Sequence, residues 1–368
     1  MSSAPQITWE STARQRAFEA WLAQAAGAHG LVSATLRPAS ADASHRRYFR
    51  VDGPQRTSFV IMDAPAAQQE NAAFVHVARL MQDAGIRAPQ VLHRDTEHGF
   101  LLLTDLGRRT LLDVITPAQP DASRTLYLAA VDILLKWQLA SRPGVLPPYD
   151  QALLQRELVL FPQWYVQAHR QVTLSAAQTQ VLQDSFARII AHNLAAPSVF
   201  VHRDFMPRNL IVADADTDVV ATAPEEPTLG LLDFQDAVCG PATYDVASLL
   251  RDAFISWDEE FVLDITIRYW EQARKLGLLD FEDWAQDFSS FWRAVEWMGL
   301  QRHLKVAGIF ARLALRDGKP RYLADAPRFI AYIRHAARRY RELAPLLRLV
   351  DEIEGAEPAT AWSFGRMG

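Results

Sequence analysis

The feature that most constrains the fold of this chain is a set of polar residues placed between short apolar strands. An apolar strand within 199–212 leads to Asp204, and Asn209 opens a second apolar strand. A third apolar stretch, 229–232, delivers Asp233. If the second and third strands pair as a hairpin, Asn209 and Asp233 lie at neighbouring strand ends. Asp204 would then lie on the loop beside them.

These three side chains suit phosphoryl transfer from ATP. Such transfer requires position and charge rather than covalent chemistry from the protein. Mg²⁺ prefers hard oxygen ligands, and Asp233 and Asn209 offer a carboxylate and an amide oxygen. A third carboxylate, Asp204, is suited to orient an acceptor hydroxyl and take its proton. The pattern therefore predicts an enzyme that uses ATP and Mg²⁺.

The surrounding periodicity predicts an α+β chain with a β-rich N-lobe at 1–106 and a large helical C-lobe at 107–368. The N-lobe elements are predicted as helix 9–26, strands 33–36, 47–52 and 58–62, helix 69–84, and strands 90–94 and 99–104. Amphipathic helices dominate the C-lobe and are predicted at 122–140, 149–172 and 176–195.

The joined pattern resembles the H-R-D-x-x-x-x-N loop and D-F-G motif of protein kinases, with Gln235 in place of the glycine. Residues 231–252 are similar to the D-F-x-x-A and G-x-x-x-Y-D signatures of the aminoglycoside phosphotransferase branch. The resemblance implies a two-lobed protein-kinase-like fold with a structural Asp245. We expect His202 to hold the loop by hydrogen bonds. Asp236 is a candidate for metal or substrate binding, with a turn-capping role as the alternative.

The resemblance also implies where the nucleotide binds. Residues 99–107 resemble the edge strand whose backbone meets adenine, so the Asp105 carbonyl and the Leu106 amide are the expected contacts. The loop that covers the phosphates in kinases is rich in glycine, but 40–47 contains none. Ser44 and the amides near it are expected to cradle the phosphates instead.

The chain departs from the kinase pattern at a second position. Met62 stands where the phosphate-binding lysine belongs, and Glu70 is the candidate for the helix glutamate that pairs with that lysine. A thioether cannot bind phosphate, so another cation must compensate. The candidates are Arg46, Arg47 and Arg208, and the alternative is that they are solvated surface arginines.

Several stretches resemble a narrower group, the bacterial kinases that phosphorylate the anomeric hydroxyl of N-acetylmuramate and N-acetylglucosamine in cell-wall recycling. These stretches lie at 41–50, 59–65, 100–107 and 301–306. The resemblance implies that the product is a sugar α-1-phosphate, which a nucleotidyltransferase then converts to a UDP-sugar.

The carboxy-terminal segment 293–348 is basic, with 13 Lys and Arg against 4 Asp and Glu. Within it, Arg302, His303 and Lys305 lie within one helical turn and are candidates to grip the lactyl carboxylate of N-acetylmuramate. Trp297 is a candidate platform for stacking on the sugar. A solvated helix face is the alternative interpretation of the basic segment.

Composition narrows the class of protein further. The 368-residue chain has a net charge of −5 and one cysteine, Cys239. This charge argues against a nucleic-acid-binding protein, and a single cysteine excludes an internal disulfide framework. No signal peptide and no membrane-spanning apolar run is visible. We therefore expect a cytoplasmic protein. The resemblance described above implies that its partner is a small amino sugar, and we expect it to be a monomer.

Two other functions stay open on the sequence alone. One is the same chemistry on another small alcohol, such as an amino alcohol, homoserine or an antibiotic, which an acidic pocket after Asp252 would favour. The other is a pseudokinase that binds nucleotide without catalysis, which the missing lysine at Met62 supports. A protein kinase is disfavoured because no A-P-E motif ends an activation segment after Asp233.

Overall fold

The computed structural model describes residues 7–40, 46–64, 68–213 and 228–355, and at 40 and 68–70 the backbone only. The strands are β1 Val32–Ser40, β2 Arg47–Asp52, β3 Ser58–Asp63, β4 Val91–Asp95, β5 Phe100–Thr104, β6 Ser198–Val201, β7 Leu210–Val212, β8 Leu229–Leu231 and β9 Val238–Pro241. The α-helices are α1 Thr12–His29, α2 Gln68–Asp83, α3 Pro120–Leu139, α4 Gln151–Leu158, α5 Ala176–Ala195, α6 Tyr244–Leu250, α7 Glu259–Lys275, α8 Phe288–Leu315, α9 Ala326–Arg339 and α10 Ala344–Glu354.

These elements form two compact units. The first comprises Met1–Ala140 and His202–Ala237, and the second comprises Ser141–Val201 and Val238–Gly368. A β-sheet in the amino-terminal part and a mainly helical carboxy-terminal part agree with the α+β class expected from the sequence. The lobe boundary at 106/107 stays a prediction.

The first unit contains an antiparallel sheet with the strand order β1-β2-β3-β5-β4. Alternate residues of a strand point to opposite faces, so Phe49 of β2 and Ile61 of β3, which are paired, share a face. Helix α1 covers this face, and the rings of Phe18 and Phe100 meet edge to face at 5.3 Å. Burial of these large rings is what holds α1 on the sheet.

Two predicted elements differ in length from the structure. Strand β1 runs to Ser40 and includes Pro38, which the sequence pattern left outside the strand. A proline is tolerated there because β1 is an edge strand. The helix predicted over 149–172 is wrong as one element, since α4 ends at Leu158 and a π-helical segment, Phe161–His169, follows. Pro162 has no amide hydrogen to continue the α-helical pattern.

The second unit is organised around α8, which is buried along most of its length. It packs against α5, α6, α9 and the π-helical segment. A close approach occurs at Gly308, where a Cβ would lie 2.4 Å from the backbone of Leu160. No helix among the described ranges is both long and apolar enough to cross a bilayer.

We expect Gly308→Ala to lower the free energy of unfolding by about 1–3 kcal/mol, because the added methyl group would force α8 away from Leu160. Gly27 in α1 is a matched control. Nothing lies within 4 Å of its Cβ position, so Gly27→Ala should stabilise the protein by up to about 1 kcal/mol. Urea denaturation measures both changes. An unaltered midpoint for Gly308→Ala would contradict the close approach.

Candidate active site

His202 organises the catalytic loop, which we define as residues 202–209. The amide of Asp204 donates to His202 Nδ1 at 3.2 Å, so Nε2 carries the proton and donates to the Leu232 carbonyl at 3.0 Å. Burial lowers the pKa of His202 to about 4, although the charge of Asp204 opposes this shift. The imidazole is therefore neutral at physiological pH. These bonds support a structural role and leave it no part as a proton carrier.

Asn209 connects the catalytic loop to the hairpin formed by β7 and β8. Its side-chain nitrogen donates to the Asp204 carbonyl at 2.8 Å, and its own carbonyl accepts from the Leu232 amide at 2.8 Å. Since the nitrogen is used within the loop, the oxygen of the carboxamide is the atom left for a ligand. Leu232 directly precedes Asp233, so the hairpin carries Asn209 and Asp233 side by side.

Asp233 combines an unusual backbone with a strongly acidic surrounding. Its φ is 63°, in the left-handed region that residues other than glycine rarely adopt. The carboxylate reaches solvent, yet the protein around it desolvates it and raises its pKa, and the charge of Asp204 raises it further. The hydrogen bond from Gln235 at 2.8 Å and the positive charge of Arg46 oppose this rise in pKa, whereas the negative charge of Asp236 adds to it.

This surrounding fits a divalent cation. A carboxylate whose pKa is raised by a neighbouring negative charge is stabilised in its ionised form by a bound cation. Asp233 and the oxygen of Asn209 are hard ligands of the type that Mg²⁺ prefers. The sequence analysis did not predict that Gln235 positions the Asp233 carboxylate. The signal was that Gln235 occupies the glycine position of the D-F-G motif. Arg203, with φ 75°, also has a left-handed backbone and is a strained point within the catalytic loop.

The predicted adenine-binding segment is clamped by side chains of the sheet. The ladder of β5 ends at Thr104, so the backbone of Asp105 and Leu106 lies beyond the strand pairs. The Asp105 carboxylate accepts from Arg50 at 2.9 Å and from Ser58 at 2.6 Å. Burial alone would raise the pKa of Asp105, but these bonds hold it below its usual value. The sequence analysis predicted Asp105 in the adenine-binding segment but did not predict that Arg50 binds its carboxylate.

The same segment contacts the hairpin formed by β7 and β8. A Cβ at Gly230 of β8 would lie 2.8 Å from Leu106 Cδ1, so the leucine packs directly over that strand. The amide of Leu231 donates to the Arg87 carbonyl at 2.8 Å. The backbone groups expected to contact adenine and the hairpin of β7 and β8 therefore pack together.

The remaining nucleotide-binding candidates are placed differently from one another. Met62 is fully buried, Arg47 is bound to the buried Asp63, and Arg208 is half-buried in the turn before Asn209. Arg46 is buried, and its charge acts on Asp233. Ser44 and the side chain of Glu70 lie outside the described residues.

Comparison with known proteins identifies the family. Residues 35–286 match the family model described as "Phosphotransferase enzyme family". The chain belongs to this phosphotransferase family. It is 47% identical over 320 residues to the N-acetylmuramate/N-acetylglucosamine kinase of Neisseria meningitidis, covering 87% of this chain and 90% of that one. The kinase of the same name from Pseudomonas putida is 45% identical over 325 residues, covering 88% and 90%.

Solved structures of phosphotransferases share the fold. The gentamicin complex of APH(2")-IIa has a TM-score of 0.57 at 13% identity, covering 88% of this chain and 97% of that chain. A choline/ethanolamine kinase family protein from Mesorhizobium loti has a TM-score of 0.54 at 15% identity, covering 86% and 92%. The protein-kinase-like fold expected from the sequence is confirmed.

In this phosphotransferase, the candidate sugar-binding residues of the second unit all have partners inside that unit. Lys305 Nζ lies 2.9 Å from Glu157 and 3.0 Å from the Tyr244 hydroxyl. Arg302 is buried, and its positive charge opposes the rise in the pKa of Asp252 that burial causes.

Two other predicted residues of the second unit are also buried. Trp297 stacks on His192 with ring centroids 4.4 Å apart, and Asp245 in α6 is inaccessible to solvent. These placements favour packing roles for the residues predicted to bind sugar in α8. The interpretation of the basic segment as a solvated helix face can therefore hold only for its exposed arginines, because the candidate residues in α8 are buried.

His303 is held as a neutral residue. Its ring stacks on Tyr332 at 4.5 Å, and Nε2 lies 3.2 Å from the Arg251 carbonyl. Burial lowers the pKa of His303 to about 3, a shift that the Arg251 carbonyl opposes and the charges of Arg251 and Arg302 enhance. A neutral imidazole offers no charge to a carboxylate, so this placement argues against the sugar-carboxylate role.

The low pKa predicts a pH-dependent stability. As the pH falls below about 6.5, the unfolded chain takes up a proton at His303 that the native protein refuses, so stability is lost at up to about 1.4 kcal/mol per pH unit. His303→Phe keeps an aromatic ring but cannot titrate. Between about pH 7 and about pH 5, the wild type should therefore lose up to about 2 kcal/mol more than the variant in urea denaturation. Equal losses would assign His303 an ordinary pKa.

Proposed function

We propose that this phosphotransferase transfers the terminal phosphate of ATP to the anomeric hydroxyl of N-acetylmuramate and N-acetylglucosamine, giving the sugar α-1-phosphate. The observation that carries the chemistry is the joining of Asp204, Asn209 and Asp233 by the bonds of one loop and hairpin. The choice of sugar is supported by relatives of that name at 45–47% identity over 87–88% of the chain.

In this mechanism Asp204 orients the acceptor hydroxyl and accepts its proton as the oxygen attacks phosphorus. Asp233 and the oxygen of Asn209 would hold Mg²⁺, which when bound neutralises charge on the phosphates. Gln235 keeps the Asp233 carboxylate in one orientation through its 2.8 Å hydrogen bond. His202 holds the backbone of Asp204 in place without changing its own protonation.

The backbone of the hinge, residues 104–107, would bind adenine. The clamp from Arg50 and Ser58 occupies the Asp105 carboxylate, so the carbonyl of Asp105 and the amide of Leu106 are the groups that recognise the base. Asp236, whose charge acts on Asp233, remains the candidate for a sugar hydroxyl on the acceptor side.

The substrate is tested by an ADP-release assay with five acceptors: N-acetylmuramate, N-acetylglucosamine, glucosamine, choline and kanamycin. We expect turnover with the two N-acetylated sugars, and phosphorus NMR should place the new phosphate on C1. Turnover with only choline or kanamycin would show that the substrate is another small alcohol and not an N-acetylated sugar. No turnover with any acceptor, despite nucleotide binding, would favour the pseudokinase.

Asp204→Asn tests the proposed base. The amide cannot take the proton, so kcat should fall by about 10²-fold or more while the affinity for ATP stays close to that of the wild type. Asp83→Asn, at an exposed position at the end of α2, is the matched control and should keep full activity. Turnover of Asp204→Asn near the wild-type rate would remove this residue from the mechanism.

A further inference from the structure

The sheet lacks a cation at the position where the kinase pattern requires one. Met62 of β3 is fully buried, and its strand neighbours are Tyr48 of β2 and Leu101 of β5. None of these side chains is charged. The positive charge that meets the phosphates must therefore come from a residue other than the one in β3.

Strand alternation separates the neighbouring arginines. Arg47 is paired with Asp63, so its side chain shares a face with Phe49 and Ile61, the face that α1 covers. Tyr48 and Met62 occupy the opposite face. Arg46 directly precedes the first residue of β2, and extending the alternation of the strand by one residue puts it on the same side as Met62, away from α1.

The ion pairs of Asp63 keep the start of β2 in this orientation. Asp63 is fully buried, and it accepts from Arg47 Nε at 3.0 Å and from Arg14 of α1 at 2.5 Å. The Arg47 guanidinium also lies 4.6 Å above the ring of Trp9. With Arg47 bound on the α1 face, a rotation of the strand that would turn Arg46 away from Met62 would break a buried ion pair, which is costly.

Arg46 is a buried cation on this side of the sheet. Its side chain is only 9% exposed, which is rare for an arginine. Its charge is thus largely withdrawn from water, where its attraction to an anion is stronger than at an exposed position.

We infer that the guanidinium of Arg46 binds the terminal phosphates of the nucleotide and replaces the lysine of the kinase pattern, with Asp63 and Arg47 as positioning residues. Guanidinium suits this task because its planar set of donors matches two phosphate oxygens. The inference rests on the proposed function, since it assigns a residue to the nucleotide site of the same enzyme.

Binding of two ligands distinguishes phosphate recognition from a general structural effect. Calorimetry should show that Arg46→Met weakens binding of a non-hydrolysable ATP analogue with Mg²⁺ by about 10- to 100-fold, the range of a lost charged hydrogen bond. Adenosine has no phosphate, so its affinity should not change. Arg46→Lys should retain part of the affinity for the analogue.

Arg37→Met is the matched control, because Arg37 pairs with Asp52 at a more exposed place in the same sheet. It should bind the analogue as the wild type does. If Arg46→Met binds the analogue normally, or loses analogue and adenosine equally, the inference is wrong. These measurements need no sugar, so they succeed or fail independently of the substrate assay.

Moving the charge provides the second test. In Arg46→Met/Met62→Lys the cation stands at the position of the kinase pattern, and the affinity for the analogue should rise at least several-fold above that of Arg46→Met. Thermal unfolding shows whether the buried lysine is tolerated. A folded double variant that binds the analogue no more tightly than Arg46→Met would contradict the inference. If the double variant does not fold, the comparison of the analogue with adenosine decides.

Discussion

The bond between the Leu232 amide and the Asn209 carbonyl is the constraint on which the site depends. It closes the hairpin of β7 and β8 at the end where both proposed metal ligands emerge. His202 adds to it by donating to the carbonyl of the same Leu232. The geometry of the site is therefore set largely by hydrogen bonds to backbone groups of the loop and the hairpin.

Charge is the second organising element of the first unit. The negative charges of Asp204 and Asp236 both act on Asp233, and cations stabilise a carboxylate in such surroundings. The proposed Mg²⁺ and Arg46 would supply this positive charge. Arg50 performs a different task, because its charge is used on the Asp105 carboxylate to hold the hinge. Two arginines of one region thus divide binding and positioning between them.

Sequence reasoning succeeded where local pattern and chemistry coincide. The strands around the catalytic loop, the order of its polar residues and the general class of fold follow from apolar periodicity and motif spacing. It was less successful for long side chains in α8. Lys305 and Arg302 form a basic surface on a helical projection, but in the structure Glu157 and Asp252 meet them in the interior.

The sequence by itself determined the chemistry, because the residue types able to bind Mg²⁺ and accept a proton stand in a recognisable order along the chain. Only the tertiary structure distinguishes the two adjacent arginines that are candidates to bind the phosphates. Arg46 and Arg47 are adjacent and chemically identical, and their difference arises from the strand face covered by α1 and the buried position of Asp63. Such contacts join residues far apart in the chain, so local periodicity does not contain them.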